Sequence, residues 1–236
     1  MATETLYSKA NIAYSDKCFD KGMAELGSLK PRGAKLAPNW RVAGARSDSQ
    51  PTDKIAKVGG RVLEGIMAIP AGYLGNSKVL RYLVSVGLAS EYAEKATQMN
   101  SDGKWFSARG DLSADALSQA IRSGIEIKAE ELEGNFVRIP LKSLGKDARA
   151  IALYGGWNGD NTLRMQIAEN HAKWLTQFEP VEKEGIRLFV PSDEEVKDVG
   201  KPVDAQIWSA GSGYGFNLRG NDRSLDVDAG VFGVLD

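Results

Sequence analysis

The sequence of 236 residues has little of the chemistry that most catalytic and metal sites need, because it contains one cysteine and one histidine. A disulfide framework needs pairs of cysteines, and Cys18 is alone. A tetrahedral zinc site needs several Cys or His ligands, which Cys18 and His171 cannot supply. Ser-His-Asp and Cys-His catalysis would depend entirely on His171. We therefore expect no metal site, no cofactor and a non-enzymatic function.

Signals for export and for membrane insertion are also lacking. The first 14 residues contain no basic start followed by an apolar run. The longest apolar stretch, residues 79–89, is interrupted by Arg81 and is shorter than the roughly 20 residues that span a bilayer. With 42% hydrophobic residues and a net charge of -1, a disordered chain is excluded. We expect a cytoplasmic or virion protein that is not secreted through a signal peptide.

The near-zero net charge is the sum of two halves of opposite charge. Residues 1–110 carry 16 Lys and Arg against 10 Asp and Glu, and residues 111–236 carry 14 against 21, so the halves are +6 and -7. The acidic end, residues 222–236, has four Asp and one Arg interleaved with apolar residues. Opposite charges on the two halves suit a head-to-tail contact, in which the basic part of one copy meets the acidic part of the next.

The basic half contains five cations with no acid between Glu25 and Asp48. Two prolines and several glycines lie in the same segment, which predicts an extended arm or long loop rather than a helix. These cations and Trp40 are candidate contacts with nucleic acid or with another subunit. The candidate residues are Lys30, Arg32, Lys35, Trp40, Arg41 and Arg46.

Apolar residues recur at helical spacing in several segments, and capping residues mark where these segments begin and end. Ser192, followed by three acidic residues, predicts the capped first turn of a short helix. The predicted helices are residues 16–27, which end at Gly27, residues 113–123, residues 162–178 and a short helix from residue 193.

Short apolar segments, some of them alternating or β-branched, predict strands. These are residues 12–14, 62–69, 136–141, 148–154, 186–190, 203–209 and 225–234, while residues 79–86 suit either state. Because strands outnumber helices and do not alternate regularly with them, we expect an α+β fold with a mostly antiparallel sheet and two to four helices. We expect residues 1–60 to form an extended N-terminal arm with one short helix and a basic loop. Residues 61–236 would form an α+β core domain with a strand-rich acidic tail.

A glycine-rich loop, residues 155–159, lies between a predicted strand and the predicted helix 162–178. Free N–H groups at such a helix N-terminus can hold a phosphate. The loop lacks the Gly-Lys-Ser/Thr ending of a nucleotide-binding loop, so the alternative is a tight turn before a capped helix. On this helix His171 shares an apolar stripe with Ile167 and Trp174. We expect His171 to be a core residue rather than a general base.

A second glycine-rich segment, residues 211–216, contains Tyr214 and Phe216 and is followed by Arg219. Exposed rings and a guanidinium group there can stack on unpaired bases or insert into a neighbouring subunit. The alternative is a hairpin whose rings pack on their own sheet. Gly211–Gly215 resembles the C-terminal glycine-rich loop of RNA-binding filament subunits of CRISPR effector complexes. That resemblance implies an RNA-binding subunit of a ribonucleoprotein filament.

Three functional classes follow from these patterns. The first is a non-enzymatic structural or assembly protein that associates head to tail with copies of itself or with other subunits, such as a phage or virus particle subunit. The second is a single-stranded nucleic-acid binding protein. The net charge of -1 argues against this class, because binding of phosphates usually requires a basic domain. The third is an enzyme that uses carboxylates alone or a metal held by Asp and Glu, and no paired-carboxylate spacing identifies one. We predict the first class and no membrane partner, with Tyr214, Phe216, Arg219 and the basic segment as contact residues.

Overall fold

The structure is a computed structural model that describes residues 4–7, 11–17, 19–28, 34–84, 114–220 and 230–235. Lys30 and Arg32 of the predicted contact set, Cys18 and most of the acidic end therefore lie outside the described residues. The predictions for these residues stay predictions.

Eight α-helices lie within the described residues, and side chains cap several of their N-termini. The Asp147 carboxylate accepts from the N–H groups of Arg149 and Ala150. The Ser192 hydroxyl accepts from the N–H of Glu195, which confirms the predicted cap. The helices are α1 (Phe19–Gly27), α2 (Asn39–Ser47), α3 (Lys54–Lys57), α4 (Ala114–Ser123), α5 (Ala148–Ala150), α6 (Asn161–Leu175), α7 (Glu179–Glu184) and α8 (Asp193–Val199).

Twelve described strands form one sheet with the order β1-β2-β12-β4-β10-β11-β9-β8-β7. Three strands pair beside this path, β3 with β12, β5 with β4 and β6 with β5. The strands are β1 (Glu4–Tyr7), β2 (Ile12–Ser15), β3 (Ala34–Leu36), β4 (Gly60–Ile69), β5 (Leu80–Val84), β6 (Ile125–Glu126), β7 (Leu132–Glu133), β8 (Phe136–Ile139), β9 (Ile186–Phe189), β10 (Val203–Ser209), β11 (Leu218–Arg219) and β12 (Val231–Leu235).

The sheet is mixed, because β9 pairs with β11 and β4 pairs with β12 in parallel orientation. The described residues alone contain eight helices rather than two to four. The predicted mostly antiparallel sheet with two to four helices is therefore wrong. Helices as short as α3, α5 and α7 show no helical periodicity in the sequence. Parallel pairing joins strands that lie far apart in the chain, so the sequence contains no hairpin-turn motif that would predict it.

The last strand, β12, brings the two ends of the chain together at the middle of the sheet. It pairs with β2, β3 and β4, and Val234 lies opposite Lys35 of β3. The backbone N–H of Ala37 also donates to the carbonyl of Phe232 at 2.8 Å. Part of the basic segment and part of the acidic end, which we predicted to meet between copies, are thus paired within one chain.

Strand β4 is the centre of the core and is buried on both of its sides. On one side of the strand, Ile66 packs in a hydrophobic cluster with residues of α2 and α6, such as Val42 and Leu175. The Met67 side belongs to a cluster with residues of α1 and α4, such as Leu26. Helices therefore cover both faces of the sheet around β4. The strands β8, β9 and β11, further along the sheet, keep one side partly open.

Two local predictions are corrected by helical structure. Residues 148–154, predicted as a strand, form α5 and a buried π-helical turn, Ile151–Gly155. Part of the predicted extended basic segment is the helix α2, which begins directly after Pro38. Proline is tolerated at a helix start because the N–H that it lacks has no partner inside the helix there.

Candidate functional site

Rings and guanidinium groups alternate on one side of strands β8, β9, β10 and β11. Successive residues of a strand point to opposite sides, so Val137 and Leu188 are buried while their neighbours face outward and are half-buried. We call the outward set, with the ring of Tyr214 that packs on it, the arginine–aromatic face. Its members are Phe136, Arg138, Arg187, Phe189, Trp208, Tyr214 and Arg219, of which Trp208 is buried with 9% of its surface exposed.

The register of the strands places these side chains in two rows. Phe136 lies opposite Phe189, and Phe189 lies opposite Arg219. Arg219 in turn lies opposite Trp208, which completes the first row across four strands. Arg138 lies opposite Arg187 in the second row. The rows are set by backbone pairing, so the face is a rigid arrangement rather than a loop surface.

Close contacts of the Phe136 ring hold the first row together and join it to the second row. The rings of Phe136 and Phe189 have centroids 5.3 Å apart. The guanidinium carbons of Arg187 and Arg138 lie 5.3 and 5.6 Å from the centroid of Phe136. These distances are within the range of cation–π attraction, which holds both arginines over the ring.

Arg219 lies among three rings at the other end of the face. Its guanidinium carbon is 5.6 Å from the centroid of Trp208, 5.8 Å from Tyr214 and 6.0 Å from Phe189. The Tyr214 ring meets Trp208 edge-on at 5.1 Å and is 55% exposed. Within the described ranges Arg219 has no carboxylate partner, so its hydrogen-bond donors remain available to a ligand.

Two exposed glutamates balance the other two arginines. Glu133 pairs with Arg138 at 3.0 Å, and Glu184 pairs with Arg187. The hydrogen bond from Arg138 lowers the pKa of the Glu133 carboxyl, so this glutamate is charged at neutral pH. The face thus carries three positive and two negative charges at its edge and centre.

The structure separates the two aromatic residues that we predicted as neighbouring contacts. Tyr214 is exposed, whereas Phe216 is 3% exposed and packs against Phe178 and Trp174 at centroid distances of 4.5 and 5.2 Å. Phe216 has a positive φ of 52°, which turns it away from Tyr214. Phe216 is therefore a core residue, and its predicted exposure is wrong.

The predicted basic contacts are also divided. Arg46 is 3% exposed and hydrogen-bonds inside the core, so it is not available to a partner. Lys35 and Arg41 are exposed, and the Arg41 guanidinium carbon lies 4.7 Å from the ring centroid of the half-buried Trp40. None of these residues contacts the arginine–aromatic face. Trp40 instead lines a separate cleft.

This second site, which we call the tryptophan cleft, has a volume of about 380 Å³. Trp40 and Trp157 line it, with the 57% exposed Leu163 at its rim. Asp160 and Arg164 are its two charged lining residues. The apolar lining residues besides these are Pro38, Leu63 and Ile167.

The glycine-rich loop 155–159 forms one wall of the tryptophan cleft and has no free phosphate site. A π-helical turn rather than a strand precedes it. The Asp160 carboxylate caps α6 by accepting from the N–H of Leu163 at 3.0 Å, so a negative charge already lies at this helix N-terminus. Gly156 has a φ of 89°, and a Cβ there would lie 3.3 Å from the Trp40 ring. The tight-turn alternative therefore describes this loop.

Gly155→Ala is expected to destabilise the protein by about 1–3 kcal/mol, because the new Cβ would clash with the backbone carbonyl of Arg164. Urea denaturation followed by circular dichroism measures the change. Gly44→Ala is the matched control, since no atom lies within 4 Å of its Cβ position inside helix α2. There alanine should stabilise by up to about 1 kcal/mol. Equal effects at both positions would contradict the close packing of the loop.

His171 is 2% exposed, which confirms the predicted core position. Its Nδ1 lies 2.8 Å from the hydroxyl of Ser47, and its ring stacks between Tyr154 and Trp174 at 4.8 and 5.6 Å. Burial, reinforced by the charge of Arg46, lowers the pKa of His171 to about 3. A neutral imidazole in this position stabilises the core and does not transfer protons to a ligand.

Sequence reasoning missed five members of the arginine–aromatic face, namely Phe136, Arg138, Arg187, Phe189 and Trp208. The available signal was the alternation in Phe136–Ile139 and Ile186–Phe189, where every second residue is apolar and buried. Such alternation predicts one open side of a strand. It does not show that two strands about 50 residues apart present that side together.

Two features are absent from the described residues. No group of three or more His, Cys, Asp or Glu side chains there is placed to hold a metal ion. None of the helices in the described ranges combines the length and apolar character needed to cross a membrane.

No protein-family model and no curated protein matches this chain. A solved structure is similar over 93% of this chain and 92% of its own, with a TM-score of 0.54 and 12% sequence identity. That structure is described by the words "Accommodation of massive sequence variation in Nanoarchaeota by the C-type lectin fold". This similarity shows the fold of the chain. It overturns the predicted α+β fold with a mostly antiparallel sheet and two to four helices. The chain resembles the C-type lectin fold over most of its length.

Proposed function

We propose that this protein is a non-enzymatic assembly protein, and that the arginine–aromatic face is its contact with another protein subunit. The observation that carries this proposal is the row of Trp208, Arg219, Phe189 and Phe136 across four paired strands. Tryptophan, tyrosine and arginine are the residues that most often dominate the energy of protein–protein interfaces.

The face is ordered before any partner arrives. Each arginine is held against at least one ring, and Arg138 is further fixed by bonds to Glu133 and to the carbonyl of Glu184. Side chains that are already ordered lose little conformational entropy on binding, so more of the contact energy appears as affinity.

The charge of the face favours protein over nucleic acid as the partner. Two of the three arginines already have glutamate partners, which would repel phosphates nearby. Rings interleaved with arginines match the enrichment of aromatic residues and arginine in protein interfaces. The exposed Tyr214 is then the member of the face with most surface left to bury, and Arg219 has hydrogen-bond donors left for a partner.

The proposed contact lies on the arginine–aromatic face, whereas the sequence predicted a contact between the basic arm and the acidic tail of neighbouring copies. Strand β3 of the basic segment is paired with β12 inside the chain. Its backbone groups are therefore already used, whereas the outward side chains of β8, β9 and β11 remain half-buried and open to a second protein.

Tyr214→Ala is expected to weaken peptide binding to the face about thirtyfold, the effect of losing about 2 kcal/mol at an interface hot spot. The probe is a random peptide library selected on the immobilised full chain. Selected peptides should combine aromatic with acidic residues, because these complement the rings and Arg219. Their dissociation constants are measured by fluorescence anisotropy against the wild type and the variant.

Lys173→Ala is the control, since Lys173 is exposed on α6, which packs on the side of the sheet opposite to the face. It should leave the dissociation constants unchanged. Selected peptides that bind the Tyr214 variant as tightly as the wild type would place the contact elsewhere. Failure to select any peptide would also count against the proposal.

Single-stranded nucleic acid is the second candidate partner, and the stacking of Tyr214 on a sheet surface rich in rings favours it. Anisotropy titrations with fluorescent single-stranded DNA and RNA at low and high salt distinguish the two partners. Binding that weakens steeply with salt and is lost in Tyr214→Ala would support the nucleic-acid function. Absence of salt-sensitive binding would remove it.

A further inference from the structure

We infer that the tryptophan cleft binds a small molecule that carries a carboxylate on an apolar ring or chain. The side chains of Arg164 and Trp157 would donate to the carboxylate, and the rest of the cleft would enclose the apolar part. This site shares no lining residue with the arginine–aromatic face and does not depend on the proposed assembly role.

Two hydrogen-bond donors of residues that line the cleft have no acceptor. Arg164 and Trp157 both belong to the lining. The Nε of Arg164 and the Nε1 of Trp157 are buried and have no hydrogen-bond partner among the described residues. A buried N–H group without an acceptor costs free energy, and most buried polar groups in native proteins are paired. Two such donors at one cleft therefore indicate a ligand that brings oxygen acceptors.

The charge of Arg164 favours an anionic acceptor. Its side chain is half-buried and, within the described ranges, forms no ion pair. Asp160 lies one turn earlier at the start of α6, but its carboxylate accepts from the N–H of Leu163 instead. Asp160 is exposed, so solvent screens its charge more than that of Arg164. The edge of a guanidinium group presents two parallel donors that match the two oxygens of a carboxylate.

A carboxylate fits the charges of the cleft better than a phosphate does. The lining contains one cation, Arg164, and one anion, Asp160. The single charge of a carboxylate is balanced by Arg164. A phosphate monoester carries up to about two negative charges at neutral pH, and its second charge would be repelled by Asp160 without a further cation to balance it.

The rest of the wall is apolar and suits a ring or a short aliphatic chain. The Trp40 ring lines the cleft together with Pro38, Leu63 and Ile167. The cleft volume of about 380 Å³ lies in the range of small-molecule sites, which is roughly 300–1,000 Å³. Tryptophan rings offer flat faces on which an apolar ring can pack. A purely apolar occupant would fill this space but leave both donors unpaired.

The cleft is already formed in the free protein. The side-chain amide of Asn39 donates to the carbonyl of Leu153 at 2.9 Å, which fixes the start of α2 against the π-helical turn. Gly155 ends this turn and packs so closely on the backbone of Arg164 that no Cβ would fit between them. These contacts join α2, the glycine-rich loop and α6, so binding requires little reordering of the walls.

The test is a ligand-observed NMR titration of the full chain with phenylacetate, cyclohexylacetate and phenethyl alcohol, which is the neutral match of phenylacetate. Both carboxylates should bind the wild type, and phenethyl alcohol should bind about tenfold more weakly or less. Arg164→Met should weaken phenylacetate binding about tenfold or more and leave phenethyl alcohol binding unchanged. Arg122→Met alters an exposed arginine of α4 and is the matched control, which should change neither.

Trp157→Phe provides a second measurement, because it keeps an aromatic ring in the cleft and removes the indole N–H. Phenylacetate should bind this variant about fivefold more weakly. In proton–nitrogen correlation spectra, the indole resonance that this variant lacks identifies Trp157. In the wild type that resonance should move downfield as phenylacetate is added, because the N–H gains an acceptor.

Four results would overturn the inference. Neither carboxylate binds the wild type, phenethyl alcohol binds as tightly as phenylacetate, the Trp157 indole resonance stays in place at saturation, or phenylacetate binds Arg164→Met as tightly as the wild type. Circular dichroism checks that the variants fold. If Arg164→Met does not fold, the comparison of phenylacetate with phenethyl alcohol and the indole resonance of the wild type decide the outcome.

Discussion

Replacing Arg46 with methionine is expected to lower the free energy of unfolding by about 3–5 kcal/mol. The Arg46 guanidinium donates to the carbonyls of Ile55 and Val58 and to both the hydroxyl and the carbonyl of Ser209. Methionine fills similar space but donates no hydrogen bond, so these buried acceptors would lose their partner. The loss is measured by urea denaturation. The midpoint should fall, while the m-value, which is the slope of the unfolding free energy against urea concentration, should stay the same.

The environment of Arg46 explains why so large an effect is expected. Phe216 and Phe232 lie 5.7 and 5.6 Å from its guanidinium carbon, and the side chain joins α2 to β10 and to the segment after α3. Burial lowers the pKa of Arg46 to about 10, so it is still charged at neutral pH. Its charge is stabilised by carbonyl dipoles and rings within the described part of the chain.

Arg41→Met is the control for this prediction. Arg41 lies on the same helix but is exposed, and its replacement should change stability by about 0.5 kcal/mol or less. An Arg46 variant within about 1 kcal/mol of the wild type would show that these hydrogen bonds do not hold the core together.

Glu64→Gln is expected to stabilise the protein by about 2–3 kcal/mol near pH 8. Glu64 is completely buried, and its Oε2 accepts from the N–H of Asn39 at 2.8 Å. Its Oε1 has no hydrogen-bond partner within the described residues, nor has the Oδ1 of Asn39. Burial raises the pKa of Glu64 from 4.5 to about 7, so above that pH the core contains an unpaired charge.

The sign of the pH dependence follows from this raised pKa. The folded protein holds the proton of Glu64 more tightly than the unfolded chain does. The stability that this group contributes is therefore fully present below pH 4.5 and is lost as the pH rises through 7. Glutamine cannot ionise, so the difference between variant and wild type should shrink as the pH falls towards 4.5.

Unfolding free energies measured by urea denaturation from about pH 5 to pH 8 test this prediction. Glu133→Gln is the control, because Glu133 is exposed and its pKa is lowered rather than raised. It should not flatten the loss of stability between about pH 5 and pH 7. If Glu64→Gln and the wild type lose stability in parallel up to pH 8, Glu64 is ionised in the folded protein without cost.

Local structure was predictable where a capping residue and a long apolar stripe agree. The helix α6 and the buried position of His171 follow from residues three and four apart, although α6 begins at Asn161 and ends at Leu175 instead of spanning residues 162–178. The strand predicted at 148–154 failed because its β-branched and aromatic residues suit any buried element. The Asp147 cap and the surrounding core make this segment helical.

The candidate site was less predictable than the local structure. Tyr214 and Phe216 are two residues apart and chemically alike, yet one is exposed and the other is in the core. Gly215 and Phe216 both have positive φ values, 63° and 52°, and this turn decides which ring faces out. Arg46 and Arg219 show the same contrast between a buried and a surface cation, which residue type alone does not distinguish.

By itself, the sequence determined the helix caps, the alternation of β8 and β9, and the scarcity of cysteine and histidine. These properties depend on residue identity or on neighbours a few positions away. Only the tertiary structure decided that β12 returns to the middle of the sheet, that the basic segment pairs within its own chain, and that Phe136, Phe189, Arg219 and Trp208 form one row. Such contacts join residues tens of positions apart. They are selected by the packing of the whole core, for which no short sequence pattern carries the information.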